Sequence, residues 1–169
     1  MARIETATEA HLPAILGIYN EVIVNSTAVY SFEPVSLQDR RDWLELRRKQ
    51  GFPVLAALDA RGEVEGFASY AEWRGAWPGY RHTVEHSVHV RADRRGQGVG
   101  RALLEALIPL ARIQGKHVLI GGIDAQNDAS IRLHEKLGFT RAAYFHQVGR
   151  KFDRWLDLVF MEKLLDADR

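Results

Sequence analysis

Thr83-Val84-Glu85-His86-Ser87-Val88-His89-Val90 leads into Arg94-Arg95-Gly96-Gln97-Gly98-Val99-Gly100-Arg101, and apolar residues then return at Leu103, Leu104, Leu107, Ile108 and Ala111. The first segment alternates as a strand does, and the last repeats at helical spacing. A strand therefore passes into a helix through a glycine-rich turn. Glycines at 96, 98 and 100 carry no Cβ and tolerate positive φ, so several backbone N–H groups can converge at the helix start, where the dipole also favours an anion. Arg94, Arg95 and Arg101 add positive charge around them. The expected guest is a phosphate.

Spacing narrows which phosphate. A nucleotide P-loop needs G-x-x-x-x-G-K-[ST], and both the Lys and the hydroxyl are missing. A dinucleotide fingerprint needs G-x-G-x-x-G, but its third glycine falls on Arg101 or Leu103. Asp124 stands at a plausible distance for a ribose contact, which keeps that alternative open. The strand argues against it: a buried parallel Rossmann strand is almost continuously apolar, whereas this one carries Glu85, His86, Ser87 and His89.

Arg95-Gly96-Gln97-Gly98-Val99-Gly100 resembles the [R/Q]-x-x-G-x-[G/A] pyrophosphate loop of the GNAT superfamily of acetyl-CoA-dependent N-acetyltransferases. The preceding T-V-E-H-S-V, the segment Asn127-Asp128-Ala129-Ser130-Ile131-Arg132-Leu133-His134-Glu135-Lys136-Leu137-Gly138-Phe139 and Arg154-Trp155-Leu156-Asp157 are similar to the phosphinothricin and methionine sulfoximine acetyltransferase branch. The resemblance covers nearly the whole chain. It implies acetyl-CoA as co-substrate, a small amine as acceptor and a splayed pair of parallel strands. Proteins of that branch are often dimers, so a homodimer is expected.

The chain has 169 residues, 46% hydrophobic and 27% charged, which suits a single domain over residues 1–169. A formal charge of +1 gives no general attraction to nucleic acid or anionic membrane. With no cysteine there is no disulfide, thiolate metal site or cysteine nucleophile. Direct attack in a ternary complex is therefore expected in place of an acetyl-cysteine relay, while a serine relay stays open. Met1-Ala2-Arg3-Ile4-Glu5 has no apolar signal core, and no stretch approaches a membrane span. The expected place is the cytoplasm.

Patterning predicts a short strand at 2–6, then a helix capped by Thr8 with Leu12, Ile15, Leu16, Tyr19, Val22 and Ile23 on one face. Residues 28–32 read as extended, and Ser36 caps a second helix that ends near Gly51. Arg40, Arg41, Arg47, Arg48 and Lys49 on it read as a solvated face. Residues 54–58 and 64–73 form a hairpin, and 74–81 a loop rich in aromatic, Gly and Arg residues. After the glycine-rich turn the helix runs to Gln114, and 117–123 is a strand parallel to 83–90 by a right-handed crossover. A short helix from Asn127 and strands at 139–148 and 152–162 complete the chain. The fold class is α/β (α+β): one mixed, mostly antiparallel seven-stranded sheet with about four helices.

Acetyl transfer to an amine calls for a base, an oxyanion site and a proton for the thiolate. Glu85, an acid inside a strand-forming run, is the candidate base, directly or through a water. The resemblance implies a catalytic role for His134, a histidine where related proteins carry a Tyr that protonates the thiolate. It also implies that backbone groups of Val88, His89 and Val90 hold the pantetheine and the acetyl oxygen, and that Arg95, Gly96, Gln97, Gly98, Val99, Gly100 and Arg101 hold the pyrophosphate. Asn127 is expected to bond the pantetheine, with Ser130 one turn on, although Asn127 also serves as a helix N-cap and hardly does both. For a zwitterionic acceptor, Arg74 is the expected carboxylate clamp and Glu85 meets the amine. Tyr30, Phe32, Trp73, Gly75, Ala76, His86 and Ser87 complete the expected acceptor site, with Trp77 as a further wall. His82, His86 and His89 do not share one strand face and have no clustered acid, so no metal is expected. A peptide N-terminus, polyamine or aminoglycoside acceptor remains a rival, as does an acyl-CoA-binding regulator without turnover.

Overall fold

The computed structural model describes residues 2–165. Seven strands form one sheet: β1 (Arg3–Thr6), β2 (Val54–Leu58), β3 (Val64–Glu72), β4 (Thr83–Val90), β5 (Val118–Asp124), β6 (Thr140–Lys151) and β7 (Arg154–Leu164). Their order is β1-β2-β3-β4-β5-β7-β6, and only β4 and β5 are parallel. Four α-helices cover the two faces: α1 (Leu12–Asn25), α2 (Leu37–Lys49), α3 (Val99–Ile113) and α4 (Asp128–Lys136). The mixed seven-stranded sheet with four helices and a splayed parallel pair follows the sequence expectation.

Strand β2 shows why the sheet needs both layers. All five of its residues are buried; Leu55 and Ala57 pack with Leu103, Leu104 and Leu107 of α3, and Val54, Ala56 and Leu58 with Ile15 of α1 and Leu44 of α2. Alternate side chains reach opposite faces, so a continuous apolar run is what a doubly covered strand requires.

Local signals set the helix ends. Thr8 begins a 3-10 turn, Glu9–His11, that precedes α1, and its N–H meets His11 Nδ1 at 3.0 Å. Ile18 is buried on α1, where the sequence pattern placed Leu16. Ser36 Oγ accepts from the Asp39 N–H at 3.1 Å and caps α2. Gly98 has φ 87° and stands as N-cap of α3, a left-handed position that suits glycine.

One expectation is corrected, that the basic residues of α2 form a solvated face. Residues 28–32 belong to neither helix nor strand. Their backbone is held by side chains: Ser26 Oγ accepts from the Ala28 N–H at 3.2 Å, and the Lys151 ammonium donates to Val29 O and Ser26 O, each at 2.7 Å, and to Ile23 O. Lys151 is only 4% exposed, and its cation sits at the carbonyl end of α1, where the helix dipole favours it. The basic residues of α2 are not uniformly solvated. Arg41, Arg48 and Lys49 are exposed, but Arg40 is 8% exposed and Arg47 half-buried. The Arg40 guanidinium lies 4.2 Å from the Tyr19 ring and 4.9 Å from that of Trp43, which lets a cation be covered without leaving it unpartnered.

Candidate active site

The parallel pairing of β4 with β5 lasts only three residues: Thr83 with Val118, Val84 with Leu119 and Glu85 with Ile120. Beyond that point the strands part. β4 keeps its bonds to β3 as far as Val90, and β5 keeps its bonds to β7 as far as Asp124. The facing edges of 86–90 and 121–124 are left without a neighbouring strand, and a cavity of about 400 Å³ opens between them and reaches under α2.

Glu85 stands where the strands part. It is half-buried, and desolvation pushes its carboxyl above the ordinary value. Opposite it β5 carries Gly121-Gly122. A Cβ at Gly122 would come within 3.2 Å of Glu85 Oε1, and one at Gly121 within 2.7 Å of His86 Cε1 and 3.3 Å of His134 Nε2. Two glycines in a covered strand thus mark the points at which side chains from β4 and α4 cross it.

His86 and His134 meet on the α4 side of the sheet. Their Nε2 atoms are 2.9 Å apart, and His134 Nδ1 is 2.7 Å from Ser130 O. A carbonyl only accepts, so His134 Nδ1 carries the proton; its Nε2 is then the lone pair, and His86 Nε2–H donates to it. Both rings are buried, with Phe139 against each, and His86 Nδ1 has no partner. Burial, then the neighbouring His134, lowers His86 to about 3; burial also lowers His134. The pair is therefore neutral near pH 7.

The opposite face of β4 is charged and open. Glu85, Ser87 and His89 look toward α1 and α2, where Tyr19, Arg40 and Arg47 also line the cavity. His89 packs between Tyr19 and Phe67, and burial, then the charges of Arg40 and Arg95, lowers it to about 4. Burial and then the Arg40 charge lower Arg47, whose Nε has no partner. Among the described residues, no ion pair joins Glu85 to Arg40 or Arg47.

The glycine-rich turn lies at the other end of the wedge. Its first-turn amides at the head of α3 have no intrahelical acceptors, and Gly98 has no side chain to offer one. Gln97 Nε2 donates to Asp93 O at 2.9 Å, Arg95 to Val90 O at 3.1 Å and to Glu21 at 2.6 Å, and Arg101 to Glu105 at 2.8 Å. These bonds use side chains and shape the loop. Asn127 caps α4 by accepting from the Ser130 N–H through Oδ1 at 3.1 Å, which leaves its amide N–H groups to face the cavity. The cap occupies the oxygen of this side chain and not its nitrogen.

Of the expected residues, the cavity brings together Glu85, His86, Ser87, Val88, His89, Asn127, Ser130 and His134. The others stand apart from it. Tyr30 packs its ring on Gly149, Phe32 is 68% exposed and Trp73 sits edge-on to Phe160. Arg74 points to the Trp77 and Tyr80 rings at 5.0 and 5.3 Å, and Gly75 and Ala76 follow it in an exposed loop. Sequence reading passed over Arg40, Arg47, Gly121 and Gly122. The Gly-Gly pair in an apolar strand was a usable signal. The arginines gave none; Arg40, for one, is covered in part by Tyr19 of the neighbouring helix α1. Among the described residues no three His, Asp or Glu side chains gather as a metal site.

A parallel pair that parts around a cavity, with a half-buried carboxyl at the fork and a glycine turn heading the next helix, defines an acyltransferase architecture. The chain belongs to the acetyltransferase (GNAT) family, whose model matches residues 15–139. It is 52% identical to the L-methionine sulfoximine/L-methionine sulfone acetyltransferase of Pseudomonas aeruginosa over 168 residues, covering 99% of this chain and 97% of that protein. It is 47% identical to the L-amino acid N-acyltransferase of Escherichia coli, covering 96% and 94%. A GNAT superfamily phosphinothricin acetyltransferase from Sinorhizobium meliloti, solved in complex with acetyl-CoA, superposes with a TM-score of 0.93 at 34% identity, covering 96% of this chain and 88% of that one.

Proposed function

We propose that the protein moves an acetyl group from acetyl-CoA to the α-amine of a small amino acid analogue of the methionine sulfoximine, methionine sulfone or phosphinothricin type. The observation that carries this is Glu85, a carboxyl raised by burial and set where β4 and β5 part. The free edge of β4 at Val88, His89 and Val90 suits the amides of a pantetheine arm and an acetyl oxygen. The amides of Gly96, Gln97, Gly98, Val99 and Gly100, with Arg95 and Arg101, suit a pyrophosphate. Asn127 and Ser130 lie along the same channel.

Glu85 takes a proton from the acceptor's ammonium, directly or through a water, and frees the nitrogen lone pair. The C–N bond forms as the C–S bond breaks, in a ternary complex without an acetyl-enzyme. Both nitrogens of His134 are already bonded, so the reading gives it the floor of the wedge. Attack leaves the new amide nitrogen with one proton too many; that proton passes through water to the thiolate, and the one Glu85 took is released to solvent. Arg40 and Arg47 in the wall favour an acceptor bearing an anionic group and disfavour polyamines and aminoglycosides.

Single-domain, cytoplasmic and homodimeric organisation belongs to the same reading. Exposed Tyr144, Phe145, Val148, Phe152 and Trp155 on the β6–β7 hairpin support a second copy there. Acetylation masks the amine of a toxic analogue, so resistance is the expected consequence. The test is acetyl-CoA-dependent thiol release screened over amino acids, methionine sulfone, methionine sulfoximine, phosphinothricin, peptides and polyamines. Amino acid analogues should accelerate release most. No acceleration by any primary amine removes the proposal.

A further inference from the structure

Arg47 and Arg40 are two cations to which no particular group of the acceptor has yet been matched. They stand seven positions apart on α2, two turns along one face, and both line the cavity under that helix. Covering a guanidinium costs free energy unless something compensates it. Arg40 is compensated by Asp39 at 2.7 Å and by the two rings that sandwich it. Arg47 is not fully compensated: its NH1 donates to Gln50 at 3.2 Å, while its buried Nε meets no acceptor. The cavity also holds a carboxyl, Glu85, raised by desolvation, and the two signs do not neutralise one another. A pocket that keeps a carboxylate and a guanidinium apart fits a ligand carrying both charges, also apart.

Resting on the reading above, we infer that Arg47, backed by Arg40, is the subsite for the acceptor's α-carboxylate, so that the zwitterion bridges from Arg47 to Glu85. This moves carboxylate recognition from Arg74, which lies in an exposed loop against Trp77 and Tyr80, to α2. Guanidinium suits the task because its planar donors match two carboxylate oxygens. The other anion at hand is the phosphate of coenzyme A. Its cradle heads α3, and none of the turn residues 94–101 lines the cavity that Arg47 lines, so the carboxylate is the better match.

The test compares methionine sulfone with its α-carboxamide, which keeps the amine and side chain and loses the negative charge. The wild-type protein should prefer the acid in kcat/KM by about 10- to 100-fold, the worth of hydrogen bonds to a charged group. Arg47→Gln should raise KM for the acid by a similar factor, collapse the acid-over-amide preference and leave KM for acetyl-CoA within about twofold. Equal use of acid and amide by the wild-type protein overturns the inference even if the variant fails to fold. A rise in KM for acetyl-CoA in place of the acceptor assigns Arg47 to phosphate and also overturns it. Absence of turnover with every amine is a different result, which removes the acetyltransferase reading and this subsite with it.

Discussion

The two faces of β4 solve the burial of polar side chains in opposite ways. Toward α4, three of the four ring nitrogens of His86 and His134 are bonded, the exception being His86 Nδ1, and the pair is neutral. Toward α2, Glu85 and Arg47 are covered by protein but their charges are not paired with one another. Burying polar groups is tolerable when their bonds are made inside and costly when they are not. The closed face is built for rigidity, and the open face holds binding energy in reserve for a ligand.

The sharpest way to break this comparison is Glu85→Gln. The loss of a general base should lower kcat by about 10²–10⁴-fold. In the native enzyme kcat/KM should rise with pH through a limb above the ordinary carboxylate value, because Glu85 must be ionised and desolvation raises it. That limb should vanish in the variant. His134→Ala should cost well under the 10²-fold expected of an acid–base group. Equal losses at both residues would mean that the closed face is chemical too.

Gly121→Ala tests the closed face itself. The added methyl would press on His86 and His134, and overpacking of this kind costs about 1–3 kcal/mol. Urea unfolding should show the loss, and trimming the pressure with His86→Ser in the same chain should recover part of it.

A third effect follows from the neutral histidines. Their folded values, about 3 for His86 and about 4 for His89, lie below the ordinary 6.5. The unfolded chain therefore binds more protons between those limits, so stability is complete above about pH 6.5 and falls as acid is added. By about pH 5 each should have cost on the order of 1–2 kcal/mol. Urea midpoints at about pH 7 and about pH 5 measure the slope, which His89→Phe should flatten.

The smallest effect sharpens the contrast between a cavity wall and a rim loop. Arg74→Ala removes a guanidinium from two exposed rings, a contact worth roughly 0.5–1 kcal/mol. Acceptor KM should move less than about fivefold, far below the effect of Arg47→Gln. A larger shift for Arg74 than for Arg47 would reverse the order.

What could be read in advance was what depends on near neighbours in the chain. The alternation of residues 83–90, the turn at Gly98 and the cap at Ser36 are local, and each stands where its pattern put it. The family resemblance then located Glu85, Asn127 and His134 along one channel. What holds residues 28–32 was not legible, because Lys151, which bonds Val29 O, lies more than a hundred positions away. Arg40 looked solvated because a helix wheel of α2 does not show the Tyr19 ring that α1 lays against it. The partner of His86 was not legible, since alternation alone does not say that α4 supplies a second imidazole.

The Lys151 ammonium joins the end of α1 and the bend at Ser26 and Val29 to the last hairpin of the chain. Ala28 and Val29 form part of the cavity wall, so that wall depends on a bond spanning 122 positions. Closing so long a loop is slow and comes only after the partners exist. During synthesis this part of the cavity wall must therefore wait for β6, the second-last strand of the chain.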